Sequence, residues 1–144
     1  MVTIYVLSGV NLGRLGTREP AVYGRTTHAE LAVACTDLAV SLGAEAVVRQ
    51  TDDEGQLVRW LHQAADAGAG VVVNPGAWTH YQWSIRDALE VMGAPFVEVH
   101  LSDIESREPH RRVSVVRDIA SAAVWGKGPD GYRDALDHLA TVLA

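Results

Sequence analysis

The strongest constraint on this chain is its rhythm. Short β-rich apolar runs alternate with longer segments whose apolar residues recur at helical spacing. Residues 2–7 form the first run, closed by Ser8-Gly9. Leu31, Cys35, Leu38 and Leu42 then share one helical face behind the capping-box pair Thr27 and Glu30, with Gly43 at the stop. A strand is expected over 46–49, and a helix starting at Asp53 with Leu57, Leu61 and Ala64 as its stripe and Gly68 at its end. Val71-Val72-Val73 reads as a buried strand closed by Asn74-Pro75-Gly76. A helix over 81–92 follows, with Ile85, Leu89 and Met92 inward, then a strand over 96–101. A polar connection over 102–112 leads to a fifth strand over 120–125. The last helix, over 130–143, carries Tyr132, Leu136, Leu139 and Leu143 in period.

Strands separated by helices form parallel, right-handed βαβ units with helices on both faces. The expectation is a three-layer, doubly wound α/β fold of flavodoxin-like type, its five-stranded parallel sheet in order 2-1-3-4-5. With 144 residues the chain is read as one domain, 1–144, and is too short for an eight-stranded α/β barrel. Such sheets bind ligands beyond the C-terminal strand ends, where the winding reverses between strands 1 and 3. Residues 8–24, 74–80 and 100–112 fall there.

Composition removes several function classes. The net charge is -6 and no basic run occurs, so nucleic acid is not an expected partner. No basic leader or long apolar run is seen, so neither a membrane partner nor export is expected, and a cytoplasmic location is. The single cysteine, Cys35, allows no internal disulfide or all-cysteine metal site, which suits a reducing compartment. It falls on a buried stripe and reads as core. The six histidines lack metal-ligand spacing, and His28, His62 and His138 are expected at helix surfaces. Asp52-Asp53-Glu54 reads as a polar helix start rather than a cation site. Of 12 basic residues only Lys127 is lysine, so Schiff-base chemistry rests on one residue in a Gly-Lys-Gly-Pro turn.

Each loop carries groups with both a chemical and a plain reading. The first is rich in glycine but matches neither nucleotide fingerprint. It places Arg18 five residues before Tyr23. A neighbouring guanidinium lowers a phenol's pKa; the alternative is a surface arginine beside a packed tyrosine. In the second loop Asn74 offers a donor and an acceptor, and Gly76 allows close backbone approach. His80 is expected at the N-terminus of the next helix, whose dipole disfavours imidazolium. A turn asparagine and a helix-start histidine are the alternatives. In the third, strand alternation puts Glu98, His100 and Ser102 on one face, so a carboxylate can orient an imidazole. A polar pair at a strand end is the alternative. Arg107, Arg111 and Arg112 offer an anion clamp or a solvated loop.

Together these motifs resemble the type II 3-dehydroquinate dehydratase family nearly end to end. The carriers are Gly9-x-Asn11-Leu12-x-x-Leu15-Gly16-x-Arg18-Glu19-Pro20-x-x-Tyr23-Gly24, Asn74-Pro75-Gly76-Ala77-x-Thr79-His80, Arg86-Asp87-Ala88, and Glu98-Val99-His100-Leu101-Ser102 with Arg107 and Arg111. The resemblance implies a hydro-lyase acting on a small anionic cyclic substrate by trans-elimination of water through an enolate, without metal or cofactor. By that likeness Tyr23 is the general base, Arg18 lowers its pKa, and Asn11 holds a water against the enolate. His100, oriented by Glu98, is the general acid. Asn74, His80 and Arg111 bind hydroxyls, and Leu101 and Ser102 bind the carboxylate. Asp87 reaches a neighbouring subunit's site, in trimers usually gathered four together as a homododecamer. The reaction serves aromatic amino-acid synthesis through the shikimate pathway, or quinate breakdown.

The chain departs from the family pattern at several places. Ser8 and Val10 stand where asparagine and proline are usual. Trp78, Tyr81 and Trp83 are bulkier than the usual residues, Asp103 replaces asparagine, and Glu105 replaces a common histidine. Residues 113–118 lack a frequent aromatic. The bulky side chains motivate an alternative, a relative using the same phenolate chemistry on another hydroxylated cyclic ketone. A non-enzymatic flavodoxin-like binding module is the more distant one.

Overall fold

A computed structural model describes residues 1–17 and 20–144, without the side chains of residues 22 and 23. Arg18, and the side chain of Tyr23, therefore lie outside the described residues. Five parallel strands, β1 (Val2–Ser8), β2 (Ala44–Gln50), β3 (Gly70–Asn74), β4 (Phe96–His100) and β5 (Ala122–Trp125), form one sheet in the order β2-β1-β3-β4-β5. That is the expected topology, with the winding reversal between β1 and β3. The helices are α1 (Pro20–Tyr23), α2 (His28–Ser41), α3 (Glu54–Asp66), α4 (Trp83–Glu90) and α5 (Asp130–Leu143).

Strand alternation divides the core in two. Ile4, Val6, Val72, Val97 and Val99 turn toward α2 and α5, where Leu31, Cys35, Tyr132, Leu136 and Leu139 meet them. Leu7, Val71, Val73 and Phe96 turn toward α3 and α4, against Leu57, Leu61, Ile85 and Leu89. Every residue of β3 and β4 is buried, as central strands covered on both faces require. Both caps read from the sequence are present. Thr27 and Glu30 exchange the reciprocal capping-box bonds, and Asp53 accepts from the amides of Gly55 and Gln56. Asp53 is thus a helix cap, as expected.

Three expectations need correcting. The helix read over 81–92 spans only Trp83–Glu90, because a 3-10 turn, Gly76–His80, precedes it. The amides of Tyr81 and Gln82 bond back to the Trp78 carbonyl and delay the α-helix. His80 therefore sits outside the first turn of α4, beyond the short reach of its dipole. Gly76 has φ 65°, and a Cβ there would lie 2.8 Å from the Val10 carbonyl oxygen, so glycine admits the neighbouring backbone as well as lining the cleft described below. Finally, His28 and His138 are half-buried rather than surface residues, each with Nε2 enclosed without a partner among the described residues, whereas His62 is exposed. The expected long polar connection is present as short 3-10 turns at Ile104–Ser106 and Pro109–Arg111.

Candidate active site

The C-terminal ends of β1, β3 and β4 open into one cleft. Asn11, Asn74, Gly76, His80, His100, Leu101, Ser102, Arg107 and Arg111, all singled out from the sequence, line it. Glu98 stands behind His100 and does not reach the cleft wall, while Asp87 is exposed on α4, away from it.

The Glu98–His100 pair has the geometry that its spacing suggested. His100 Nε2 lies 2.6 Å from Glu98 Oε2. A carboxylate only accepts, so Nε2 carries the proton and Nδ1 is left for the cleft. Glu98 is fully buried, which by itself pushes its carboxyl pKa up. The hydrogen bond and charge of His100, with the hydroxyls of Thr79 and Ser114, outweigh that and hold it down at about 2. Thr79 Oγ1 donates to Oε2 at 2.6 Å and Ser114 Oγ at 2.8 Å. Arg117 Nε approaches Oε1 at 3.4 Å, while its Nη1 reaches Glu105 at 2.9 Å and its guanidinium lies 4.4 Å from the centre of the Trp125 ring. Glu105, at the position where a histidine is common, thus serves as a partner of Arg117.

His80 packs against His100 with ring centroids 6.5 Å apart and planes 16° from parallel. Its Nδ1 lies 2.6 Å from the Val113 carbonyl and so carries the proton. Burial lowers its pKa, the Val113 bond opposes that, and the charges of His100 and Arg111 add to the lowering. A neutral His80 keeps Nε2 as an acceptor. The cause is burial, not the helix dipole that the sequence had suggested.

Arg107 and Arg111 also line the cleft, both within ion-pair reach of Glu108. Arg107 Nη1 donates to Ser102 Oγ at 3.3 Å, and Arg111 Nε stands 3.2 Å from Glu108. The carbonyls of Leu101 and Ser102 each accept, at 3.0 Å, from Gly128 and Gly126, which anchors this segment to the turn before α5. An anion therefore meets a local positive wall in an acidic protein. Asn11 adopts φ 68°, and its amide donates to Asp52 at 2.8 Å, tying the first loop to the turn after β2.

Thr79, Ser114, Arg117 and Tyr132 received no role from the sequence. Thr79 lay inside a recognised motif next to His80, so proximity was its only signal. Ser114 and Arg117 reach Glu98 from 16 and 19 residues away, on a segment without periodicity. Of the bulky departures, Trp78 is buried in the α3/α4 core, Tyr81 and Trp83 are exposed, and none lines the cleft. No group of three or more His, Cys, Asp or Glu among the described residues has the arrangement of a metal site. No helix among them is long and apolar enough to cross a membrane.

The chain matches the protein-family model for dehydroquinase class II over residues 2–140. It is 57% identical over 137 residues to 3-dehydroquinate dehydratase of Salinispora arenicola, covering 95% of this chain and 96% of that one. It is 51% identical over 140 residues to 3-dehydroquinate dehydratase 2 of Pseudomonas putida, covering 97% and 94%. Among solved structures, the type II dehydroquinase of Propionibacterium acnes superimposes with a TM-score of 0.96 at 48% identity, covering 98% of this chain and 97% of that one. The sheet order, the polar residues at its C-terminal edge and these likenesses agree: the chain belongs to the class II dehydroquinase family.

Proposed function

We propose that this cleft dehydrates 3-dehydroquinate to 3-dehydroshikimate by trans-elimination through an enolate, making the protein a hydro-lyase. The observation that carries the reading is the buried Glu98–His100 pair at the back of a cationic cleft. In the first step the Tyr23 phenolate, its pKa lowered by Arg18, removes the proton beside the ketone. The electron pair moves onto the carbonyl oxygen, and a water held by Asn11 stabilises the enolate. The enolate then re-forms the ketone and expels the β-hydroxyl. His100, as an imidazolium held through Nε2 by the ionised Glu98, gives its Nδ1 proton to that group as it leaves and becomes neutral, and the hydroxyl departs as water.

Arg111, with Leu101 and Ser102, supports binding of the anionic ring substrate. His80 accepts from a substrate hydroxyl through Nε2, and Asn74 contacts another. No step calls on a cofactor or metal. Asp87, exposed on α4, suits the cross-subunit role in a trimer-based homododecamer. A cytoplasmic setting fits a substrate of central metabolism. The idea of a different ring substrate rested on Trp78, Tyr81 and Trp83, and their placement outside the cleft removes its motive.

The test is the near-ultraviolet absorbance of the conjugated enone that dehydration creates. Turnover of 3-dehydroquinate is expected at nanomolar enzyme. No absorbance change at micromolar enzyme refutes the proposal.

A further inference from the structure

Tyr132 is buried on α5, yet it carries a hydroxyl that no step above uses. Its position follows from strand alternation. Ser8 and Asn74 are register partners at the ends of β1 and β3, and both share the parity of Ile4, Val6 and Val72, which face α5. Glu98 and His100 have the opposite parity. Asn74 therefore lines the cleft while its amide is held from the α5 side of the sheet.

Donor chemistry orients the Asn74 amide there. The Gly76 amide can only donate, and it lies 3.1 Å from Asn74 Oδ1. Nδ2 of Asn74 must then be the atom 3.1 Å from the Tyr132 hydroxyl, to which it donates. The phenol's own proton is left for Ser8 Oγ at 3.0 Å. Burial pushes the Tyr132 pKa up to about 12, so the proton stays in place. Both anchors are spent on one amide orientation, and one Nδ2 hydrogen remains unspent.

We propose that Tyr132 is a positioning residue that locks the Asn74 amide, so that Asn74 meets the substrate as a hydrogen-bond donor to a hydroxyl oxygen. The role rests on the dehydratase reading of the cleft. Ser8 completes the lock as acceptor of the phenol's proton, at the position where the family usually has asparagine. With His80 offering an acceptor and Asn74 a donor, the cleft distinguishes the two halves of a hydroxyl.

Steady-state kinetics of wild type, Tyr132→Phe, Asn74→Ala and the double variant test this, together with calorimetric binding of 3-dehydroshikimate. Tyr132→Phe should raise KM and weaken product binding about fivefold to tenfold, the loss of one net hydrogen bond, with kcat changed less than twofold. In the Asn74→Ala background it should add nothing. A fall in kcat alone with KM and product affinity unchanged overturns the proposal, as does an equal KM effect in both backgrounds. Should Tyr132→Phe fold poorly, Ser8→Ala removes only the proton's acceptor and should raise KM about twofold to threefold. An unchanged KM in that variant also overturns the lock. Wild type that leaves 3-dehydroquinate untouched sinks the functional reading itself. An active wild type with both variants unaltered sinks only the role of Tyr132.

Discussion

His100 Nε2 lies 2.6 Å from the Oε2 atom of Glu98, a carboxylate with no exposed surface. A charge so enclosed is costly unless every lone pair finds a donor, and here Thr79, Ser114, His100 and Arg117 supply them. Glu98→Gln keeps the shape and removes the charge. It is expected to lower kcat by about 10²–10⁴, the usual worth of general acid catalysis, with KM changed far less. Initial rates by enone absorbance check it. A variant retaining half of the wild-type kcat contradicts the assignment of His100 as the acid.

Tyr23→Phe removes only the phenol oxygen. Turnover should fall to near background, while calorimetry still detects binding of 3-dehydroshikimate. Full activity in this variant would show that another group takes the proton.

Thr79→Val exchanges a buried donor for a methyl group of nearly equal volume, leaving Glu98 short of a short bond to a charged acceptor. Bonds of that kind contribute about 1.5–3 kcal/mol net. Urea midpoints at neutral pH and matched protein concentration should report a loss of that size. An unchanged midpoint would mean that Ser114 and His100 satisfy the carboxylate alone.

Two buried groups set an alkaline limit. Burial raises the Cys35 pKa from 9.0 to about 11 and that of Tyr132 from 10.0 to about 12. For both, the folded value lies above the unfolded one, so their contribution is complete below pH 9 and is lost as pH rises through 9–12. At about 1.4 kcal/mol per pKa unit, each two-unit shift corresponds to a loss on the order of 3 kcal/mol. Glu98 behaves oppositely, going from 4.5 unfolded to about 2 folded, so its contribution is present above 4.5 and fades as pH falls toward 2. Burial lowers the His28 and His80 pKa values, so their contribution also fades as pH falls below 6.5; urea midpoints measured across pH should be flat between about 7 and 9 and decline on both sides. Constant stability up to pH 11 would contradict the burial of Cys35 and Tyr132.

The features legible in the sequence are those decided within a few residues of chain. The Thr27–Glu30 capping box spans three residues, the Val71-Val72-Val73 strand is one apolar run, and Glu98 and His100 share a face because they are two apart on a strand. Alternation of such pieces was enough for the parallel sheet and its order, since right-handed crossovers leave few arrangements. The length of α4 was not legible. Its start depends on how the Gly76–His80 turn is held against Val10 and Val113, segments distant in sequence. Nor were the partners that fix the polar groups. Ser114 meets Glu98 across 16 residues, Asn74 meets Tyr132 across 58, and Ser8 meets Tyr132 across 124. Which chemical groups the cleft holds was written in local pattern. Which atoms they present was decided by sheet register and helix packing, because only the assembled sheet brings an α5 phenol to the ends of β1 and β3.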